Sequence, residues 1–332
     1  MDLIRLAANQ PPERFYRGGS RIDDLRGAPH GSDRRPEDWV ASTTALAGES
    51  RLGLTTLPDG RLLVDAVRED PASWLGPAHV AAFGPVSNLL VKLLDAGQRL
   101  PVHAHPDDAF AAEHLDLPSG KAEAWYLLEP GTVHLGLRET VAKDRMRELV
   151  AAQDTAAMLA LLHRREIAAG QLVYVAPGML HAIGAGILLV ELQQPADLSI
   201  LLEWRGFDLD GERDGHVGIG FDRALDAVEL TARTDDEIDE LIVTPGVGVA
   251  SLPWDAARYF RFERRPVTAG ASVSIERGFA VLIVVEGDVE LSAGGRPAVA
   301  APSGSTLVLP HAAGEVTATG AGTVLVCRPP AP

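Results

Sequence analysis

The chain has 332 residues, 46% of them hydrophobic and 23% charged, an ordinary globular composition with room for two compact units. Its formal net charge of −16 argues against nucleic acid or an anionic membrane surface as a partner, since either needs a basic face. Cys327 is the only cysteine, which excludes an intramolecular disulfide and a thiolate metal cluster.

The first residues include an early acid, and no apolar run approaches the roughly 18 residues of a membrane span. A cytoplasmic enzyme is expected. Residues 1–35 are rich in Arg, Gly and Pro, and Gly18, Gly19, Gly27 and Pro29 break any helical period, so an irregular lead-in is expected. Residues 51–68 alternate short apolar runs around Pro58, Asp59 and Gly60, a hairpin signal. Residues 86–95 are nearly continuous apolar chain, as in a strand buried on both faces.

Next comes Leu-Pro-Val-His-Ala-His-Pro-Asp-Asp at 100–108, in which His103 and His105 are two residues apart in extended chain. Side chains alternate with period 2, so both imidazoles point to one face, where they could hold a metal. Chance or a surface turn also produces such a pair. Asp107 and Asp108 favour the start of a short helix, an insertion over about 106–116. In the strand-like run 120–128, Lys121, Glu123 and Trp125 share a face, placing a carboxylate where an apolar residue would be expected.

Across 140–166, Met146, Leu149, Val150, Ala157, Met158, Leu161 and Leu162 recur at three- and four-residue intervals without Gly or Pro. Two amphipathic helices packed on the outside of a barrel are expected. A strand then reaches the Pro177-Gly178 turn, and His181 opens the next. Three imidazoles and one carboxylate form a plausible ligand set for a borderline divalent ion, with positions left for water or substrate. In 187–193, Glu191 and Gln193 share a face, and a buried carboxylate there must be used or paired; a structural ion pair is the alternative.

Residues 207–217 look like a calcium loop, but the ligand spacing fails, leaving a solvated acidic loop. A helix is expected at 225–230, an acidic, well-capped linker or helix at 234–241, and a boundary near Pro245. Beyond it, strands at 259–264, 272–276, 280–286, 289–292, 305–309 and 323–327 alternate with turns, indicating a second barrel or sandwich. That unit has no His-x-His pair and a lone His311, and is expected to hold no metal.

The order His-x-His-Pro-Asp-Asp, Gly-Lys-x-Glu-x-Trp, Pro-x-Gly-x-x-His-Ala-Ile-Gly and Glu-x-Gln-Gln-x-x-Asp resembles the type I mannose-6-phosphate isomerases, zinc enzymes of the cupin superfamily. The likeness begins at Glu37, Trp39 and Ser42, similar to an early Glu-x-Trp-x-x-Ser of the family, and runs to the last strand. It implies a mainly β fold of two cupin-like β-barrel or jelly-roll units, with the helical insertions in the first: residues 1–244 catalytic and 245–332 structural. It implies one divalent ion, zinc by family habit, on His103, His105, Glu123 and His181. Glu191 and Lys121 are the implied catalytic residues, with Lys121, Gln193 and Trp39 against a sugar or sugar phosphate. The chemistry implied is an aldose–ketose isomerisation through an enediol. A different, unphosphorylated sugar or a non-catalytic sugar-binding protein are the alternatives, and the sequence sets no oligomeric state.

Two departures bear on this. His103 takes the place of a family Gln, which could move metal preference toward manganese, iron or nickel. The family's Asp-x-x-x-Arg reads Asp197-Leu-Ser-Ile-Leu201, and a leucine cannot do an arginine's work. Weak turnover of mannose 6-phosphate is therefore expected unless an Arg from elsewhere, such as Arg205, Arg223 or one in the lead-in, refills the site.

Overall fold

Strand-forming sequence organises the chain into three antiparallel sheets in a computed structural model that describes residues 1–249, 252–253 and 256–332. One six-stranded sheet runs in the order Ile242–Val243, Leu172–Val175, Glu123–Leu127, Ile187–Gln193, Leu90–Ala96, Glu37–Val40. A five-stranded sheet runs Ile200–Leu201, His103–Ala104, His181–Ile183, Gly131–Leu137, Leu162–Ile167. Between them lies a cavity of about 590 Å³ whose wall includes Lys92, Glu123 and Glu191 from the first sheet and His103 and Ile183 from the second. This is the first cupin-like unit.

Each sheet also has an outer face. The helices Lys143–Ala152 and Thr155–Ala160 bury Met146, Leu149, Val150 and Met158 in one cluster with Ala104, Ala182 and Ile200, the outward residues of the five-stranded sheet. The expected helical pair is therefore present, but it ends at Ala160. Residues 162–167 form a strand, because Leu162 and Ile167 are buried at its ends while Arg164 and Glu166 alternate outward. The first insertion is the helix Asp108–Leu115.

On the other side, Tyr126 of the six-stranded sheet meets Phe262 of the C-terminal sheet with ring centroids 5.1 Å apart. That third sheet is built on two long strands, Ala280–Ala293 and Val316–Arg328, paired along their length. The expected break between 286 and 289 is absent: pairing runs unbroken through these residues, and the one register shift of the strand lies just before them, between Val284 and Glu286. Gly287, in the paired run, has φ +72°, and a Cβ there would meet Ala321 O at 2.1 Å.

Residues 51–68 are not a hairpin. Only an isolated bridge, Thr56 to Leu62, spans the Pro58-Asp59-Gly60 turn, and the helix Leu63–Glu69 follows, burying Leu63, Ala66 and Val67 at helical spacing. Two further short helices, Pro71–Leu75 and Pro77–Phe83, were not anticipated. No helix among the described residues is long and apolar enough to cross a membrane.

The lead-in is more ordered than its composition suggests. Ile4–Leu6 pairs with Thr306–Leu309 of the C-terminal sheet, so the two units expected to divide near residue 245 are tied by a strand. Residues 18–21 are then fastened to the six-stranded sheet, where Asp95 Oδ2 accepts hydrogen bonds from Gly19 N at 2.7 Å and Arg21 N at 3.1 Å. Gly18 lies so close that a Cβ would sit 2.0 Å from Asp95 O. We expect Gly18→Ala to lower stability by at least about 2 kcal/mol, measured as a reduced urea midpoint; an unchanged midpoint would show that the lead-in is not held this way.

Candidate metal centre

The strands His103–Ala104 and His181–Ile183 pair with His103 directly opposite His181, and His105 follows two residues on. The side-chain nitrogens that the three imidazoles offer lie within 4.8 Å of one another. Each ring is oriented from behind. His103 Nδ1 is 2.8 Å from Pro101 O, His105 Nδ1 is 2.7 Å from Leu198 O, and His181 Nδ1 is 2.8 Å from Met179 O. A carbonyl only accepts, so each Nδ1 carries the proton and each Nε2 turns a lone pair inward. Burial, reinforced by the charge of Lys121 and by the neighbouring rings, holds His105 and His181 neutral, with pKa values lowered to about 3.

Glu123 completes the group. Its Oε1 is 3.1 Å from His105 Nε2 and its Oε2 is 3.7 Å from His181 Nε2, so lone pairs face lone pairs. His105 Nε2 and His181 Nε2 are fully buried and accept no hydrogen bond. Orphaned nitrogens converging on a carboxylate fit a dication, and three imidazoles with one carboxylate suit a borderline ion. Burial opposes charge on Glu123, but Lys121 at 2.5 Å holds its carboxyl well below the usual range. Trp125 Nε1 donates to its Oε2 at 3.1 Å.

The motif around Glu123 is locked to the motif around His105. Asp107 caps the short helix by accepting from Phe110 N at 2.8 Å, and Asp108 Oδ1 accepts from Gly120 N at 2.8 Å and Gln194 Nε2 at 2.9 Å. Gly120 has no room for a Cβ, which would lie 2.2 Å from Pro106 O.

On the six-stranded sheet, Glu191 is flanked in register by Trp125 and Lys92, and Lys92 by Trp39. Period 2 therefore puts Glu191, Lys92 and Glu123 on the cavity side. Burial, and next the charge of Glu123, push the Glu191 carboxyl above its usual range. Lys92 Nζ lies 3.7 Å from Glu191 and 3.4 Å from Glu37, over the Trp39 ring. Lys121 stays charged despite burial because Glu123 and Glu191 face it.

Of the expected site residues, His103, Glu123, Lys121 and Glu191 line the cavity, and His105 and His181 close the cluster behind them. Trp39 and Gln193 do not line it. Trp39 is fully buried beneath Lys92 and donates from Nε1 to Glu37 Oε2 at 2.7 Å. Gln193 donates to Gln194 O at 3.1 Å and Ala196 O at 2.7 Å, steadying the segment that carries Asp197. Leu201 pairs opposite His103 and forms part of the wall. Neither Arg205 nor Arg223 lines the cavity; the guanidinium in its wall is Arg14, from the lead-in. Arg14 Nε is 3.3 Å from Glu37 Oε1, and Nη2 is 3.4 Å from Asp197 Oδ1. No local pattern in residues 1–35 announces this, since its partners lie 23 and 183 residues away.

No protein-family model matches the chain. It is similar to a mannose-6-phosphate isomerase of Streptococcus mutans serotype c, 35% identical over 203 residues, 59% of this chain. That alignment spans 58% of the relative's own length. A mannose-6-phosphate isomerase of Bacillus subtilis is 27% identical over 72% of this chain and 74% of its own. The solved structure of the mannose 6-phosphate isomerase from Bacillus subtilis superposes with a TM-score of 0.75 at 21% identity, covering 99% of this chain and 100% of that one. A variant of phosphomannose isomerase from Salmonella typhimurium gives 0.78 at 15% identity over the whole of both chains. These likenesses bear out the resemblance read from the motifs and the two-unit fold.

Glu37 supplies a test of the electrostatics around the cavity. It is buried and accepts from Tyr16 OH at 2.6 Å as well as from Trp39 and Arg14. Burial opposes its charge, yet Arg14, Lys92 and these donors hold its pKa below the ordinary 4.5. An acid with a depressed folded-state pKa contributes stability that is present above its unfolded value and lost as pH falls below it. Glu37→Gln should cost ~3–5 kcal/mol at neutral pH, because two buried cations lose their partner. The gap between wild type and variant in urea unfolding should narrow steadily below pH 4.5; a gap that does not change with pH would contradict this account.

Proposed function

We propose that this relative of the mannose-6-phosphate isomerases is a metal-dependent aldose–ketose isomerase, converting mannose 6-phosphate and fructose 6-phosphate through an enediol. The observation that carries the reading is the shared cavity: His103 of the imidazole cluster, an ammonium at Lys121 and a carboxyl at Glu191 line one space. Isomerisation needs all three kinds of group. A divalent ion held by His103, His105, Glu123 and His181 supplies polarisation of the sugar's carbonyl and hydroxyl oxygens.

The protein's own groups do the rest. Glu191 moves the proton between adjacent carbons, being a carboxyl on a rigid central strand with Lys92 3.7 Å behind it. A raised pKa makes it a stronger base than an ordinary glutamate. Lys121 donates hydrogen bonds to substrate oxygens from beside Glu123, and its charge stabilises negative charge developing there. The apolar wall of Leu94, Ile183 and Leu198 limits water around the reacting carbons. Trp39 and Gln193 act from behind, on Glu37 and on the Asp197 segment, rather than on the sugar.

Zinc is the ion proposed, with manganese, iron and nickel as substitutes the third imidazole would admit. We read the protein as cytoplasmic, and residues 245–332 as a structural unit that backs the six-stranded sheet without a metal of its own.

Chelator-treated protein should lose conversion of mannose 6-phosphate and regain it on adding one equivalent of zinc. Glu191→Gln should lower kcat by ~10²–10⁴-fold with metal content unchanged. If metal-loaded protein converts none of a panel of aldoses and aldose phosphates, the chain is not an isomerase of this kind.

A further inference from the structure

We propose that Arg14, from the lead-in segment, is the specificity-determining residue that receives the phosphate of the sugar substrate, a role that rests on the isomerase reading above. The sugar's reacting end belongs near the imidazoles, so its anionic end needs a cation elsewhere in the same cavity wall. Among the described residues three cations line that wall: Lys92, Lys121 and Arg14.

Two of them stand at the reacting end, beside Glu123 and Glu191. Lys121 lies 2.5 Å from Glu123, and Lys92 is 3% exposed, lodged between Glu37, Glu191 and the Trp39 ring. Arg14 has donors to spare. Its side chain is 12% exposed, its contacts to Glu37 and Asp197 are long at 3.3 and 3.4 Å, and Nη1 has no hydrogen-bond partner among the described residues. A guanidinium offers five donors in a planar fork matched to phosphate oxygens.

Its placement is not that of a mobile surface arginine. Arg14 N donates to Arg34 O at 3.0 Å, Tyr16 is buried with its hydroxyl on Glu37, and residues 18–21 are fastened to Asp95. Leu201, opposite His103, presents only methyl groups to the cavity. A guanidinium from the lead-in thus supplies the charge that position 201 lacks, and poor use of a phosphorylated sugar no longer follows from Leu201.

The test compares ligands that differ only in the phosphate. Binding of mannose 6-phosphate and of mannose to zinc-loaded wild type, Arg14→Ala and Arg14→Lys is measured by calorimetry, with turnover recorded in parallel. Loss of the fork should weaken mannose 6-phosphate by ~10–100-fold in Arg14→Ala and by less in Arg14→Lys, with a smaller change for mannose. Inorganic phosphate should compete with mannose 6-phosphate in wild type and poorly in Arg14→Ala. Equal weakening of both sugars, or none of either, would overturn the proposal and leave Arg14 as a brace for Glu37. Should Arg14→Ala not fold, Arg14→Lys decides through the same ratio of the two ligands. Failure of the isomerase reading is separate: it appears as absent turnover in wild type, whatever the binding ratio does.

Discussion

Three imidazoles whose Nδ1 protons are all taken by backbone carbonyls leave three Nε2 lone pairs aimed at one another and at a carboxylate. In a buried space this arrangement is repulsive unless something positive sits within it, and the rest of the first unit can be understood as what holds it in place. The His103–His181 pair fixes two rings across a strand junction, and the Asp108 bridge holds the Glu123 strand to the loop after His105. The five-stranded sheet can commit its inner face to polar groups because its outer face is covered by the helices carrying Met146, Leu149 and Met158.

From that centre the charges alternate outward: Glu123 faces Lys121, Glu191 faces Lys92, Lys92 faces Glu37, and Glu37 faces Arg14, which ends on Asp197. Each member is buried or nearly so, and a buried charge without a partner would cost several kcal/mol. The chain of pairs makes the members interdependent. It also explains why a glutamate two pairs removed from the imidazoles, Glu37, is so firmly ionised while Glu191 is not. Glu37 has two cations and two neutral donors; Glu191 shares Lys92 with Glu37 and Lys121 with Glu123, and faces a second carboxylate.

The part of this that is legible in the sequence is the part governed by strand periodicity. Two residues from His103 to His105, from Lys121 to Glu123 and from Glu191 to Gln193 are enough to assign faces, because alternation is a local rule. The same rule misleads where burial is uniform. Gln193 shares a face with Glu191, yet lies where the strand leaves the cavity and turns into the segment at Ala196. Trp39 likewise packs against Glu37 and Lys92 rather than lining the cavity. The three short helices at 63–83 escaped because an amphipathic pattern of five to seven residues is no longer than a strand's, and Thr56, Gly60 and Leu62 imitate a hairpin at the turn. Arg14 escaped for another reason. Its meaning depends on contacts to residues 37 and 197, and nothing within its own segment encodes them.

A position in a motif fixes an element and a face, but a cavity is lined by several elements at once. At position 201 the strand opposite His103 offers a side chain to the cavity, and in this chain that side chain is apolar. The lead-in crosses the same cavity while anchored at both ends, by Ile4–Leu6 in the C-terminal sheet and by Gly19 and Arg21 on Asp95. A segment so held can present a guanidinium with little loss of conformational freedom on binding, which is what makes a charge useful for orientation rather than only for attraction. Charge lost from one wall can therefore be supplied from another, provided the second element is as rigid as the first. The strand that ties the lead-in to the C-terminal sheet gives that sheet a part in the site, although it contributes no side chain to the cavity wall.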